Sequence, residues 1–170
     1  MQIVVTLNEY EMLQAAVGGC QRRISSMFKG RPQFYGAGER KNYWEIDVMG
    51  AIAEYAVAKA FDLWWQPTTN QKLSELRGDV GDWQIRSTSH MDGHLFLHPN
   101  DKDANFILAI VKDNKVLLAG WISKQKGIEV SELSRFDTYW VKQEYLWSMA
   151  DAPVAVVWGD DVKPRSAKLS

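Results

Sequence analysis

"GDVGDWQIRST", Gly78 to Thr88, sets an acid just ahead of a short strand. Side chains on a strand alternate with period two, so Gln84, Arg86 and Thr88 face one way and Trp83, Ile85 and Ser87 the other. One face is therefore polar. Whether it lies in solvent or forms the floor of a site depends on what the rest of the chain lays over it.

Downstream, "HLFLH" (94–98) follows Asp92-Gly93, a two-residue turn signal, so it is expected to fold back on the strand as a hairpin. "NFILAIV" and "KVLLAGWI" flank Asp113-Asn114, a second hairpin signal. "TYWVKQEYLWSM" (138–149) reads as a short strand entering a helical turn, and "APVAVVW" (152–158) as a late strand.

Upstream, "QIVVTL" is an opening strand, and Asn8 is the N-cap expected for a helix over 9–28, weakened in its middle by Gly18-Gly19. "KGRPQFYGAGERKN" (29–42) is a loop. Apolar residues at Trp44, Val48, Ile52, Tyr55 and Ala56 recur at helical spacing and predict a second helix over 43–61. An irregular connection, 64–78, is interrupted by Pro67. The expected fold is α+β, with helices first and a largely antiparallel sheet after them. One domain covers 1–162, and a flexible tail is expected at 163–170.

The chain has 170 residues, 46% hydrophobic and 24% charged, enough for one real core. A net charge of -1 gives no global pull on nucleic acid, so a polyanion would need a local patch. Arg22, Arg23, Lys29, Arg31, Arg40 and Lys41 stand against the single acid Glu39, with Phe34, Tyr35 and Tyr43 among or beside them. That stretch is the candidate DNA contact. The lone Cys20 fits a reducing, cytoplasmic setting, and no membrane span or signal peptide is expected.

Glu54 is the anomaly. Its neighbours one helical turn away are Gly50, Ala51, Val57 and Ala58, a face suited to close packing. A carboxylate buried there needs a partner. An internal salt bridge, with Arg86 for example, is one answer. A cation site shared with Asp79 is the other, since Mg²⁺ takes oxygen ligands and needs only one or two carboxylates.

"GAIAEYAVAK", "GDV" and "QIR", in that order, resemble the PD-(D/E)XK phosphodiesterase family of restriction endonucleases and related DNA-processing enzymes. The run through "HPNDKD" to "FILAIVKDNKVLLAGWI" is similar to small nuclease-like proteins of bacteriophages, over roughly residues 44 to 122. The resemblance implies a restriction-endonuclease-like core, a central mixed sheet with helices packed on it. It implies a Mg²⁺- or Mn²⁺-dependent deoxyribonuclease, with Glu54, Asp79, Gln84 and the Ile85 carbonyl around the cation and Arg86 beside it. Dimers are common in that fold, but no interface is identified here.

Two positions depart from the family pattern. Gln84 stands where an acid is commoner, and brings an oxygen without charge. Arg86 stands where lysine is commoner; it stays protonated, so it can stabilise charge on a phosphate but cannot act as a base. A catalytically degenerate DNA- or protein-binding module on the same fold is therefore the rival reading. Asp82 competes with Asp79 as the ligand.

His90, His94 and His98 recur at intervals of four, but in the expected hairpin His94 and His98 lie on the face opposite His90, so zinc is not expected. His90 shares the polar face and could touch a phosphate. Ser87, Thr88 and Ser89 have no histidine and acid arranged around them as a nucleophile requires. "GGCQRR" and "YGAGERKN" lack the strand-to-helix setting of a phosphate-cradling loop, so no nucleotide cofactor is expected.

Overall fold

A computed structural model describes residues 1–29, 42–67, 78–134 and 136–165. Strand β1 (Ile3–Thr6) leads into α1 (Glu9–Phe28), and α2 (Tyr43–Phe61) follows. Asn8 starts α1 with a reciprocal cap: its side chain accepts the Glu11 N–H at 2.9 Å, while Glu11 Oε2 accepts the Asn8 N–H at 2.8 Å. Asn42 caps α2 at Glu45, and Asp62 closes it in the left-handed conformation at φ 51°.

The glycine pair expected to weaken α1 is what lets α2 approach. A Cβ on Gly19 would lie 2.6 Å from Val48 Cα, and one on Gly18 would lie 2.7 Å from the Trp65 ring. The two helix backbones therefore meet at Gly19, a contact only glycine permits.

Five strands form one mixed sheet in the order β2-β4-β5-β1-β7, where β2 is Trp83–Thr88, β4 Asn105–Lys112, β5 Lys115–Ser123 and β7 Val162–Pro164. β2 runs parallel to β4, and the other pairings are antiparallel. A separate two-stranded sheet joins β3 (Leu95–Leu97) to β6 (Tyr139–Val141). Short α3 (Lys124–Glu129) follows β5.

β4 is apolar along nearly its whole length because both of its faces are covered. Ile107, Ala109 and Val111 join Trp83, Ile85 and α2 residues such as Ala53 and Val57 in one core. Phe106, Leu108 and Ile110 join Leu95, Leu97 and Val141 in a second. A register shift at Leu108/Ala109 lets β5 change phase, which sends Trp121 to the α2 side with Val116 and Leu118.

Three expectations need correction. The Asp113-Asn114 hairpin forms, with Lys112 opposite Lys115, but the Asp92-Gly93 turn does not pair its flanks. β3 leaves β2 to pair with β6, which buries Leu95 and Leu97, and among the described residues β2 takes β4 as its only ladder partner. "APVAVVW" forms no strand; Val154 and Val156 pack on the α2-side core while the Val157 N–H donates to the Ala60 carbonyl. Lys163 and Pro164 belong to β7 beside β1, and the Arg165 N–H donates to Gln2 O, so ordered chain extends past the expected start of the tail.

Candidate functional site

β2 is an edge strand, and its open side is where the candidate residues gather. The Ile85 N–H donates to Asp79 Oδ2 at 2.8 Å, and the Asp79 N–H donates to the Trp83 carbonyl at 2.7 Å. The "GDVGD" turn therefore lies along the outer edge. A strand residue directs its N–H and C=O to the same side, so the Ile85 carbonyl also faces outward, beside Asp79. Of the two acids weighed for this position, Asp79 is the one that reaches Ile85.

Glu54, on α2, is almost fully buried and lies near enough to Asp79 to feel its charge. Arg22 of α1 donates to both its oxygens, Nη1 to Oε1 at 2.9 Å and Nη2 to Oε2 at 2.7 Å, while the Trp65 indole N–H reaches Oε2 at 3.3 Å. Burial raises the Glu54 carboxyl above its usual range; Arg22 and Trp65 pull it back, and the nearby charge of Asp79 pushes it up again. Asp79 is raised too, by burial first, against the Ile85 N–H and the charges of Arg86 and Arg22. Burial also lifts Asp47, which lies near Arg22 and Arg23. Burial works to lower Arg22, yet Glu54, Asp79 and Asp47 hold it above the ordinary arginine value.

Gln84 and Arg86 leave β2 on the other face. Each lies beside a β4 residue of the second core, Gln84 beside Phe106 and Arg86 beside Leu108. The Arg86 guanidinium sits over the Phe106 ring at 5.0 Å, with Nε donating to the Phe96 carbonyl at 3.2 Å and Nη2 to Asp101 Oδ2 at 2.9 Å. Its Nη1 comes back to 3.5 Å from Ile85 O. Glu54 and Arg86 thus do not form the internal pair weighed above. Asp79 lies between two arginines, one from each face of the sheet.

The basic stretch needs correction where it is described. Arg22 is committed to Glu54. Arg23 is buried, with its guanidinium 5.3 Å from the Tyr43 ring centroid and 3.8 Å from Asp47. Both follow Ala15, Gly18 and Gly19 on the face of α1 turned toward α2, so neither is presented to a phosphate backbone. Arg31, Arg40 and Lys41 lie outside the described residues. His90 is exposed, and its backbone N–H donates to Thr88 Oγ1.

The donor chemistry suits a hard cation in three groups, the Asp79 and Glu54 carboxylates and the outward Ile85 carbonyl. The expected fourth donor, Gln84, leaves β2 on the opposite face from Glu54 and is not brought to them, because alternate residues of a strand face opposite ways. Among the described residues, Asp79 Oδ1 accepts no hydrogen bond. The Arg22 fork on Glu54 is the competing charge. Among the described residues no three of His, Cys, Asp or Glu cluster closely enough to hold a metal by themselves, so carbonyl and substrate oxygens would complete any shell. In comparisons with protein-family models, curated proteins and solved structures, the chain matches none of them.

Proposed function

We propose that this chain is a divalent-cation-dependent DNA phosphodiesterase with a restriction-endonuclease-like core, working at the open edge of β2. The observation that carries the reading is the bond from the Ile85 N–H to Asp79, which sets the acid on the same open side of β2 as the Ile85 carbonyl, with Glu54 and Arg86 near enough for their charges to act on it. Asp79, Ile85 O and Glu54 would hold Mg²⁺ or Mn²⁺; Gln84, on the face of β2 away from Glu54, stands outside that shell. The bound ion would lower the pKa of a water and offset charge on the phosphate.

The remaining work falls to the chain. Arg86 keeps its proton, and its Nη1 already reaches the edge, so it can meet charge growing on a phosphate oxygen. Glu54, whose carboxyl is raised above the usual range by burial, would give up its Arg22 fork to meet the ion. The test is cleavage of single-stranded, duplex and branched DNA with Mg²⁺ or Mn²⁺. Activity in the wild type and its loss in Asp79→Asn are expected; inactivity on all three substrates would sink the reading.

A second reading is favoured by the Arg22–Glu54 pair: a non-catalytic binding module in which the guanidinium supplies the positive charge in place of a cation. Thermal melts with added Mn²⁺ separate the two, since a ligand bound to the native state raises its stability by RT ln(1 + [L]/Kd). The nuclease reading expects a higher Tm; the module expects none.

A further inference from the structure

α1 has two apolar faces, and among the described residues only one of them is packed. Ala15, Gly18 and Gly19 turn toward α2 and the Trp65–Pro67 segment. On the opposite side stand Tyr10, Leu13, Val17, Cys20, Ile24 and Met27, followed by Phe28. Their separations alternate three, four, three, four, three. That is the spacing of a seam that meets another helix, roughly 3.5 residues per repeat. Scattered surface apolar residues do not keep such a period.

The stripe is open. Phe28, Tyr10 and Leu13 are 89, 68 and 60% exposed, and Trp64, beside Leu13 and Val17 across a groove of about 730 Å³, is 87% exposed. These side chains together with Val17, Ile24 and Met27 leave on the order of 800 Å² uncovered, about what each partner of a standard-size interface buries. Monomeric proteins seldom leave a contiguous patch that large unused.

We propose that this face of α1 is the surface through which two copies of the chain associate. The flanks point to a second copy rather than to an unlike partner. Gln14, Ala16 and Gln21 border the stripe and are uncharged, and Arg23 is turned toward Asp47. Glu11 and Lys59 of the groove pair with each other, with Asp62 beyond them. The exposed acid Glu9 stands at one end only, so an antiparallel copy sets it against the opposite end of the stripe. Two identical helices therefore meet without opposing like charges, whereas selecting a different protein or a nucleic acid calls for charge at the rim. A two-fold interface needs such a self-complementary patch. The seam would also brace the helix that carries Arg22, although the proposal stands on the stripe alone and not on the nuclease reading.

Sedimentation at about 100 μM, above the micromolar end of affinities for interfaces of this size, tests it. The wild type is expected at twice the 19.4 kDa chain mass, and Leu13→Glu/Val17→Glu at the single mass with unchanged circular dichroism and urea midpoint. Ile24→Lys, at the far end of the stripe, provides a second variant if the first does not fold. Asp79→Asn should remain dimeric. A monomeric wild type, as when an unlike protein is the partner of the stripe, overturns the proposal; so does a dimer that survives Ile24→Lys and the double variant.

Discussion

Two arginine–carboxylate pairs flank the open edge of β2, and they are built on different principles. Arg22 commits both terminal nitrogens to Glu54, and its Nε is left buried with no hydrogen-bond partner among the described residues. Arg86 spreads its guanidinium over the Phe96 carbonyl, Asp101 and its own strand. The carboxylates differ as well: the Glu54 side chain is 7% exposed and that of Asp101 18%. The first pair is a helix-to-helix lock in which, among the described residues, Arg22 hydrogen-bonds to Glu54 alone while Glu54 also accepts from Trp65. The second is a distributed clamp that tolerates the loss of one contact.

The largest test of that contrast removes one member of the lock. Glu54→Ala strips the half-buried Arg22 of its hydrogen-bonded carboxylate, leaving only the nearby charges of Asp79 and Asp47, and should cost about 3 kcal/mol in urea unfolding. Restoring an apolar pair with Arg22→Met/Glu54→Leu should recover most of the loss, because the desolvation cost disappears with the charges. A double variant as unstable as the single one would show that the pair is more than a charge balance.

Gly19→Ala strikes the same helix face without touching a charge. The added Cβ meets Val48 backbone at 2.6 Å, so α1 and α2 must separate, at a cost of about 1–3 kcal/mol. The Arg22–Glu54 distance should lengthen while Arg86–Asp101 is unchanged, a difference that a crystal structure of the variant would display. Asp101→Asn on the clamp side should be milder, about 1–2 kcal/mol, since the charge-assisted bond weakens while Arg86 keeps its bond to Phe96 O.

The smallest effect is in pH. A carboxyl raised in the native state binds more protons folded than unfolded between its unfolded value, about 4.3 for glutamate, and its folded value. Stability therefore falls as pH rises through that window. Glu54→Gln should flatten the fall, and Asp79 and Asp47, raised in the same direction, should leave a residual slope. Urea midpoints taken in steps upward from about pH 4 would show it. Parallel slopes for variant and wild type would remove Glu54 from the account.

Much of the frame was legible because its signals are local. The cap at Asn8, the apolar spacing of α2 and the Asp113-Asn114 turn each act over a few residues, and each element formed. Asp92-Gly93 carried a similar turn signal and failed, because Leu95 and Leu97 gain a core by pairing with β6. No short-range pattern announces a parallel pairing such as β2 with β4. At the site, Glu54 was legible as an acid on a packing face, and Asp79 as its neighbour. Its partner Arg22 was missed, being 32 residues away and grouped with the basic stretch. The signal was present: Arg22 stands one turn beyond Gly18 and Gly19, on the face of α1 that had to be buried.

The bond from the Ile85 N–H to Asp79 has a consequence for how the protein keeps to itself. An edge strand presents main-chain groups that can recruit any stray extended segment. By occupying that donor, the aspartate acts as a stopper, and the turn around it covers Trp83 in the same way. Stripping the carboxylate would uncap β2 and offer it as a template, so an Asp79→Ala preparation should cloud on storage sooner than Asp79→Asn, whose amide oxygen still closes the gap.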